Sequence, residues 1–281
     1  MFIIFFLLGV ILGSFVNALV WRLHEQLDED GNQKKLSKDQ LKAISISKGR
    51  SMCPHCRHEL AAKDLIPIVS WLLLGGRCRY CKKPIDKQYP LIELLMGVLF
   101  AVSYLAWPHS LLHGWQILEF ITWLVMVVGL VALAIYDIRW MLLPNRIVSK
   151  LFMIAGISFL FQLAAGRPTA AIRDTLFGVL IGGGIFWVLY QLSQGKWIGG
   201  GDVKLGALLG FLLGSPQLAF LYLFLASILG FVWVLPALIS KKMTQTSQVP
   251  FGPFLIAAAF IVMLWGQRII DWYTQSLLHI Q

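Results

Sequence analysis

Stretches of about 20 apolar residues recur along this chain, and they limit its fold more than any other feature. A backbone crossing lipid must satisfy its own hydrogen bonds, which leaves helices or closed barrels. At 1.5 Å per residue, about 20 residues match a hydrocarbon core of about 30 Å. Eight stretches are legible, at about Met1–Val20, Tyr89–Trp107, Trp115–Tyr136, Ile147–Ala165, Thr175–Leu192, Val203–Leu213, Gln217–Ile239 and Phe251–Trp272. The sixth is short and covers about half of such a core. Composition agrees: 14% of residues are charged, against about 25% in an ordinary soluble domain. The expected fold class is an all-α polytopic membrane protein with about eight transmembrane helices. The first stretch has neither a basic leader region nor a small-residue cleavage site, so a retained helix is expected.

Basic residues set the orientation. All but Arg167, Arg173 and Arg268 of the 24 Lys and Arg fall on one side of the predicted spans. That side is expected to be cytosolic, with both termini periplasmic and anionic lipid as a contact. The net charge of +10 reads as topology. No base-reading module accompanies it, so nucleic acid is not an expected partner.

All four cysteines lie in the one sizeable polar segment, His24–Gln88. Cys53-Pro54-His55-Cys56 and Cys78-Arg79-Tyr80-Cys81 form two Cys-x-x-Cys knuckles. This spacing favours a structural zinc site, in which four thiolates complete a tetrahedron and leave no open position. Disulfides and a metal-free apolar cluster are the alternatives, and the first is disfavoured in a reducing cytosol. His55 and His58 are expected outside the ligand set. Between the knuckles, Asp64–Leu74 is too apolar for an exposed loop and too short to span, so it is expected on the membrane or on the helical bundle. The charged stretch Glu25–Arg50 reads as a flexible connection, helical over Ser37–Ala43.

Two acids stand in costly places. A charged side chain at mid-bilayer costs at least about 2.5–3.5 kcal/mol. Asp202 follows Gly199-Gly200-Gly201, and Asp137 closes the run Phe120–Tyr136. The predicted topology puts both at the cytosolic ends of their helices. Asp202 reads either as an N-cap or as a functional acid beside an interior cavity. Asp137 stands where a helix dipole disfavours an anion. Two carboxylates sharing a site divide one proton, the arrangement of aspartic proteases. The glycines would offer free N–H groups or an extended edge to a peptide. An ion-coupled transporter and a non-catalytic assembly factor are the competing readings.

The order of motifs adds a resemblance. Gly13-Ser14-Phe15-Val16-Asn17 and Arg22-Leu23 precede the knuckles and Asp64-Leu65-Ile66-Pro67. Tyr89-Pro90-Leu91-Ile92-Glu93, Asp137, Leu143-Pro144, Gly199–Lys204 and Pro250–Phe254 follow. Over nearly its whole length the chain resembles the type IV prepilin leader peptidases, among the Gly-x-Gly-Asp intramembrane aspartyl proteases. The resemblance implies an inner-membrane endopeptidase that cuts prepilins and pseudopilins after glycine on the cytosolic side. Asp137 and Asp202 would be its catalytic pair. Gly199, Gly200, Gly201, Pro144 and Glu93 would support the site or substrate, and Cys53, Cys56, Cys78 and Cys81 would hold zinc. It also implies N-methylation of the new terminal residue, usually Phe, from S-adenosylmethionine, with a peptidase-only enzyme as the alternative. His24 and Asn145 stand where the family usually has Pro and commonly has Asp. The expected organisation is a first transmembrane helix over 1–22, a cytosolic linker and zinc domain over 23–88, and a seven-helix peptidase core over 89–281.

Overall fold

Glycines decide which helices of this chain can approach most closely, because a bare Cα lets two backbones touch. In the computed structural model, which describes residues 1–28, 33–46, 49–240 and 249–278, two such seams organise two compact units, Met1–Leu105 and Ala106–Gln281.

The first unit holds α1 (Phe2–Gln26), α2 (Lys38–Ala43), a 3-10 turn (Ala62–Asp64), α3 (Val69–Leu73) and α4 (Gln88–Leu105). Its seam joins α1 to α4. A methyl group on Gly13 would stand 2.7 Å from the Glu93 Cα, and one on Gly97 would strike Val10 and Phe6. Gly13 therefore serves the close packing of α1 on α4. Asn17 donates to the Tyr89 carbonyl at 3.1 Å. The first helix runs past its apolar stretch to Gln26, because the polar residues that follow are buried and satisfied. Arg22 donates to the carbonyls of Ser45, Ile46 and Gly49, and Gln26 to that of Ile44. The described part of the charged stretch is thus tied to α1, whereas a flexible connection was expected. The short helix within it forms as expected, and Ser37 and Gln40 close a capping box.

The second unit is a helical bundle: α5 (Gly114–Trp140), α6 (Asn145–Ala164), α7 (Ala170–Ser193), α8 (Gly200–Leu213), α9 (Pro216–Ile239) and α10 (Gly252–Leu278). Its seam joins α7 to α8 through paired Gly-x-x-x-Gly steps. A methyl group on Gly178 would lie 2.5 Å from the Gly210 carbonyl oxygen, and one on Gly182 2.5 Å from that of Gly206. The buried Tyr222 hydroxyl of α9 lies within donating distance of both carbonyls of this seam, Gly182 at 3.3 Å and Gly206 at 3.2 Å, and shares its one hydrogen between them. Far from the C-terminal end of α5, Arg167 pairs with Glu119 at 3.2 Å and contacts Gln162. Its guanidinium covers the Phe159 ring.

Among the described residues seven helices, α1, α4, α5, α6, α7, α9 and α10, are long and apolar enough to cross a membrane. The predicted sixth span is the helix α8, 14 residues or about 21 Å long, and too short to cross alone. No β-strand occurs among the described residues. The chain is a helical, multi-pass membrane protein. Lys48, Lys241 and Lys242 of the basic majority lie outside the described residues.

Candidate active site and metal cluster

Asp137 occupies the last full turn of α5 and is 5% exposed. The helix stops three residues later. Met141 takes a left-handed conformation and returns its N–H to the Asp137 carbonyl at 2.8 Å. The carboxylate accepts a hydrogen bond from the backbone N–H of Gly252 at 3.0 Å. Gly252 is the first residue of α10. The dipole at the end of α5 disfavours an anion, and the opposite dipole at the start of α10 compensates it. A methyl group on Gly252 would stand 2.7 Å from the carboxylate oxygen, so only glycine permits this approach.

Asp202 is the third residue of α8, behind Gly199 as N-cap. The N-cap reading of Asp202 is thereby corrected. Its carboxylate reaches back to the Gly199 N–H, half of a capping box, which a glycine N-cap cannot complete. Gly200 and Gly201 are helical rather than an extended edge, and Gly199 alone is extended. Glycine is tolerated here because the first N–H groups of a helix need no intrahelical partner. Asp202 lies close enough to Asp137 for the two charges to interact.

The connection between α5 and α6 sets this spacing. Pro144 is buried and caps α6. Its neighbours both touch the first turns of α8. Leu143 Cβ would be 3.0 Å from a methyl on Gly201, and Lys204 Nζ donates to Asn145 Oδ1 at 2.7 Å. Phe251 and Phe254 flank Gly252 and pack near Gly230 of α9. The partnership of Asp137 with Gly252 is the feature that sequence reasoning did not reach. Its local signal, glycine then proline at a helix start, was present.

The first unit holds the other predicted residues. Cys53, Cys56, Cys78 and Cys81 come together with all four sulfurs within 4.8 Å of one another. Cys53 Sγ and Cys81 Sγ are 3.9 Å apart. Sulfurs on a tetrahedral zinc with bonds of about 2.3 Å stand about 3.8 Å apart, so the cluster fits such an ion. None of the four is in a disulfide. The knuckles repeat one backbone design. Cys53 bonds the His58 carbonyl as Cys78 bonds that of Lys83, and Arg57 returns to Cys53 as Lys82 does to Cys78. Arg57 and Lys82, one residue past each second cysteine, both have positive φ, 56° and 58°. Burial pushes the Cys53 thiol up to about 11. Burial also acts upward on Cys78, but hydrogen bonds from the Cys81 and Tyr80 N–H groups and from the Cys53 and Cys81 thiols together outweigh it and bring that thiol to about 7.

Asp64, unassigned in the sequence, locks the second knuckle. It pairs with Arg79 at 2.7 Å and accepts from the Tyr80 hydroxyl at 3.1 Å. Glu93 is buried on α4. It takes the Ile68 N–H at 2.6 Å and a hydrogen bond from Ser14. Its carboxylate therefore holds the start of α3 against α1 and α4.

Comparison with known proteins follows the same two units. Residues 7–107 match the bacterial peptidase A24 N-terminal domain, and residues 124–235 match the type IV leader peptidase family. The chain is 34% identical over 280 residues to the prepilin leader peptidase/N-methyltransferase of Stutzerimonas stutzeri, covering 95% of this chain and 92% of that one. A protein of the same description from Bacillus subtilis is 32% identical over 278 residues, 98% of each chain. The one from Neisseria gonorrhoeae is 31% identical over 282 residues, 95% of this chain and 92% of its own. No solved structure matches. With two aspartates brought together at helix ends, a four-cysteine cluster, and relatives aligned almost end to end, the chain belongs to the type IV leader peptidase family.

Proposed function

We propose that this protein is a membrane aspartic endopeptidase that removes the leader from type IV prepilins or pseudopilins after a glycine, and then N-methylates the new terminal residue. The observation that carries the peptidase reading is the meeting of Asp137 and Asp202, 65 residues apart in sequence and on different helices, on a site buttressed by Gly252. One carboxylate, ionised, takes a proton from a water molecule, whose oxygen attacks the scissile carbonyl carbon. The other, protonated, donates to the carbonyl oxygen. Collapse of the tetrahedral intermediate breaks the C–N bond, and a proton passes to the leaving amine. The pair titrates as a unit.

The backbone of Gly199, Gly200 and Gly201 at the start of α8 is our candidate for holding the substrate backbone, with Pro144 shaping the same edge. The four thiolates would hold zinc, a closed ligand set that shapes the loop and performs no chemistry. Glu93 is assigned as a positioning residue for that loop. S-adenosylmethionine is the inferred methyl donor, following the name its relatives carry. The positive-inside distribution supports a topology with the zinc loop and the aspartates at the cytosolic face of the bacterial inner membrane and the termini in the periplasm.

Incubation of the full-length protein with a prepilin and isotopically labelled S-adenosylmethionine tests both activities at once. Mass analysis is expected to show a shortened pilin whose terminal amine carries the label. Cleavage without label would reduce the protein to a peptidase, and an intact prepilin would refute the assignment.

A further inference from the structure

Between the knuckles the chain displays apolar side chains that stay exposed among the described residues. Leu65, Ile66, Val69, Leu72 and Leu73 are all exposed, Leu72 by 63% and Leu73 by 81%. An exposed apolar patch of this kind normally marks a contact surface. Two observations say what covers it.

The first is depth. The Ile68 N–H is bonded to Glu93, the sixth residue of α4, about 8 Å along that helix from its start. Glu93 also bonds Ser14, which lies about 9 Å inside Val20, the end of the first apolar run. The start of α3 is thus fastened to two membrane-crossing helices, one to two turns inside the start of α4 and the end of the first apolar run. Segments lying in a membrane interface are buried by about 5–10 Å. The second observation is charge. Exposed Lys63, Arg77, Lys82, Lys83 and Lys87 surround the apolar turn in sequence. Cations beside an inserted apolar face suit anionic lipid headgroups.

We propose that Leu65–Leu73 is an interfacial anchor, with Leu72 and Leu73 inserted among the acyl chains of an anionic phospholipid bilayer and the flanking cations on its headgroups. The backbone supports a fixed attachment. Ile68 holds φ at +61°, a strained choice for a β-branched residue that its surroundings must maintain. The anchor would hold the four-cysteine cluster at the membrane surface from both sides of the turn.

The experiment uses full-length protein in nanodiscs containing a phospholipid with a photoreactive group near the top of its acyl chain. Lipid adducts are mapped by mass spectrometry. Adducts are expected on Leu72 and Leu73, as well as on exposed Leu91 and Leu94 of α4, which serve as the internal standard. They are expected to be more abundant in phosphatidylglycerol discs than in phosphatidylcholine discs. The pair Leu72→Glu and Leu73→Glu should reduce adducts in 65–74 to the level of the exposed knuckle 54–57, with metal content and α4 labelling unchanged. Labelled α4 with an unlabelled 65–74 would overturn the proposal, as would crosslinks joining 65–74 to a second copy of the chain or to the rest of its own. Equal labelling in both lipids would overturn the role given to the cations.

Discussion

The Asp137 carboxylate accepts the backbone N–H of Gly252 at 3.0 Å across 115 residues of sequence. That bond ties the end of α5 to the start of α10 and fixes one acid of the proposed pair. It also explains how a carboxylate survives at the C-terminal end of an apolar helix. A second helix presents its positive end there.

Gly252→Ala is therefore expected to cripple cleavage without preventing insertion. The added methyl would sit 2.7 Å from Asp137, so the carboxylate or the start of α10 must shift. A displacement near 1 Å costs about 100-fold in rate. Steady-state cleavage of a prepilin, with thermal unfolding as the folding control, checks this. Activity within a few-fold of the parent would show that Gly252 does not position Asp137.

The α7–α8 seam predicts a different phenotype. Gly206→Leu would drive a side chain into the Gly182 carbonyl and Phe186 and separate α8 from α7. Overpacking of this kind costs about 1–3 kcal/mol. The melting temperature in detergent should fall, and cleavage should fall with it because Asp202 rides on α8. Retained melting temperature would contradict the close approach of the two backbones.

Metal analysis of the purified protein should find about one zinc per chain, the number a four-thiolate site holds. Cys78→Ser should abolish it. Acidification should release it, because the ligands are thiolates and each must stay deprotonated to bind. Intact free thiols with no metal would remove the zinc assignment.

Asp64→Asn should weaken that metal. Burial acts upward on the Asp64 carboxyl, but hydrogen bonds from Arg79, Tyr80 and the Ala61 N–H, with the Arg79 charge, together outweigh it and hold it below the ordinary range. A carboxyl with a depressed value stabilises the fold above its unfolded value, and the contribution disappears as pH falls through the folded one. The asparagine keeps the shape and loses the charge. Metal affinity is expected to drop about tenfold or more, in line with other residues that orient ligands. A chelator competition series measures it, and an unchanged affinity would show that the knuckle stands without Asp64.

Much of this was legible in the sequence, for identifiable reasons. Hydropathy marked the spans because lipid permits few alternatives, and the shortness of α8 was visible in its residues. The cysteine cluster followed from spacing alone. The extension of α1 past Val20 was not legible, since Arg22 and Gln26 look solvated until their carbonyl partners appear. Asp202 looked like an N-cap because three glycines before it disguise the first turn of a helix. The steps Gly178-x-x-x-Gly182 and Gly206-x-x-x-Gly210 were readable, but their mutual pairing was not. Nor was the bond from Gly252 to Asp137, which only the assembled bundle creates.

The central claim is that Asp137 and Asp202 act together as a proteolytic pair. Asparagine in place of either keeps the size and a hydrogen-bond acceptor, including the one facing Gly252, and removes the charge and the ability to exchange a proton. The decisive measurement is the prepilin cleavage rate of Asp137→Asn and Asp202→Asn in full-length, folded protein. Each is predicted to lose activity by about 100-fold to 10,000-fold or more, with an unchanged melting temperature and metal content. Cleavage by either variant at the parent rate would contradict the account.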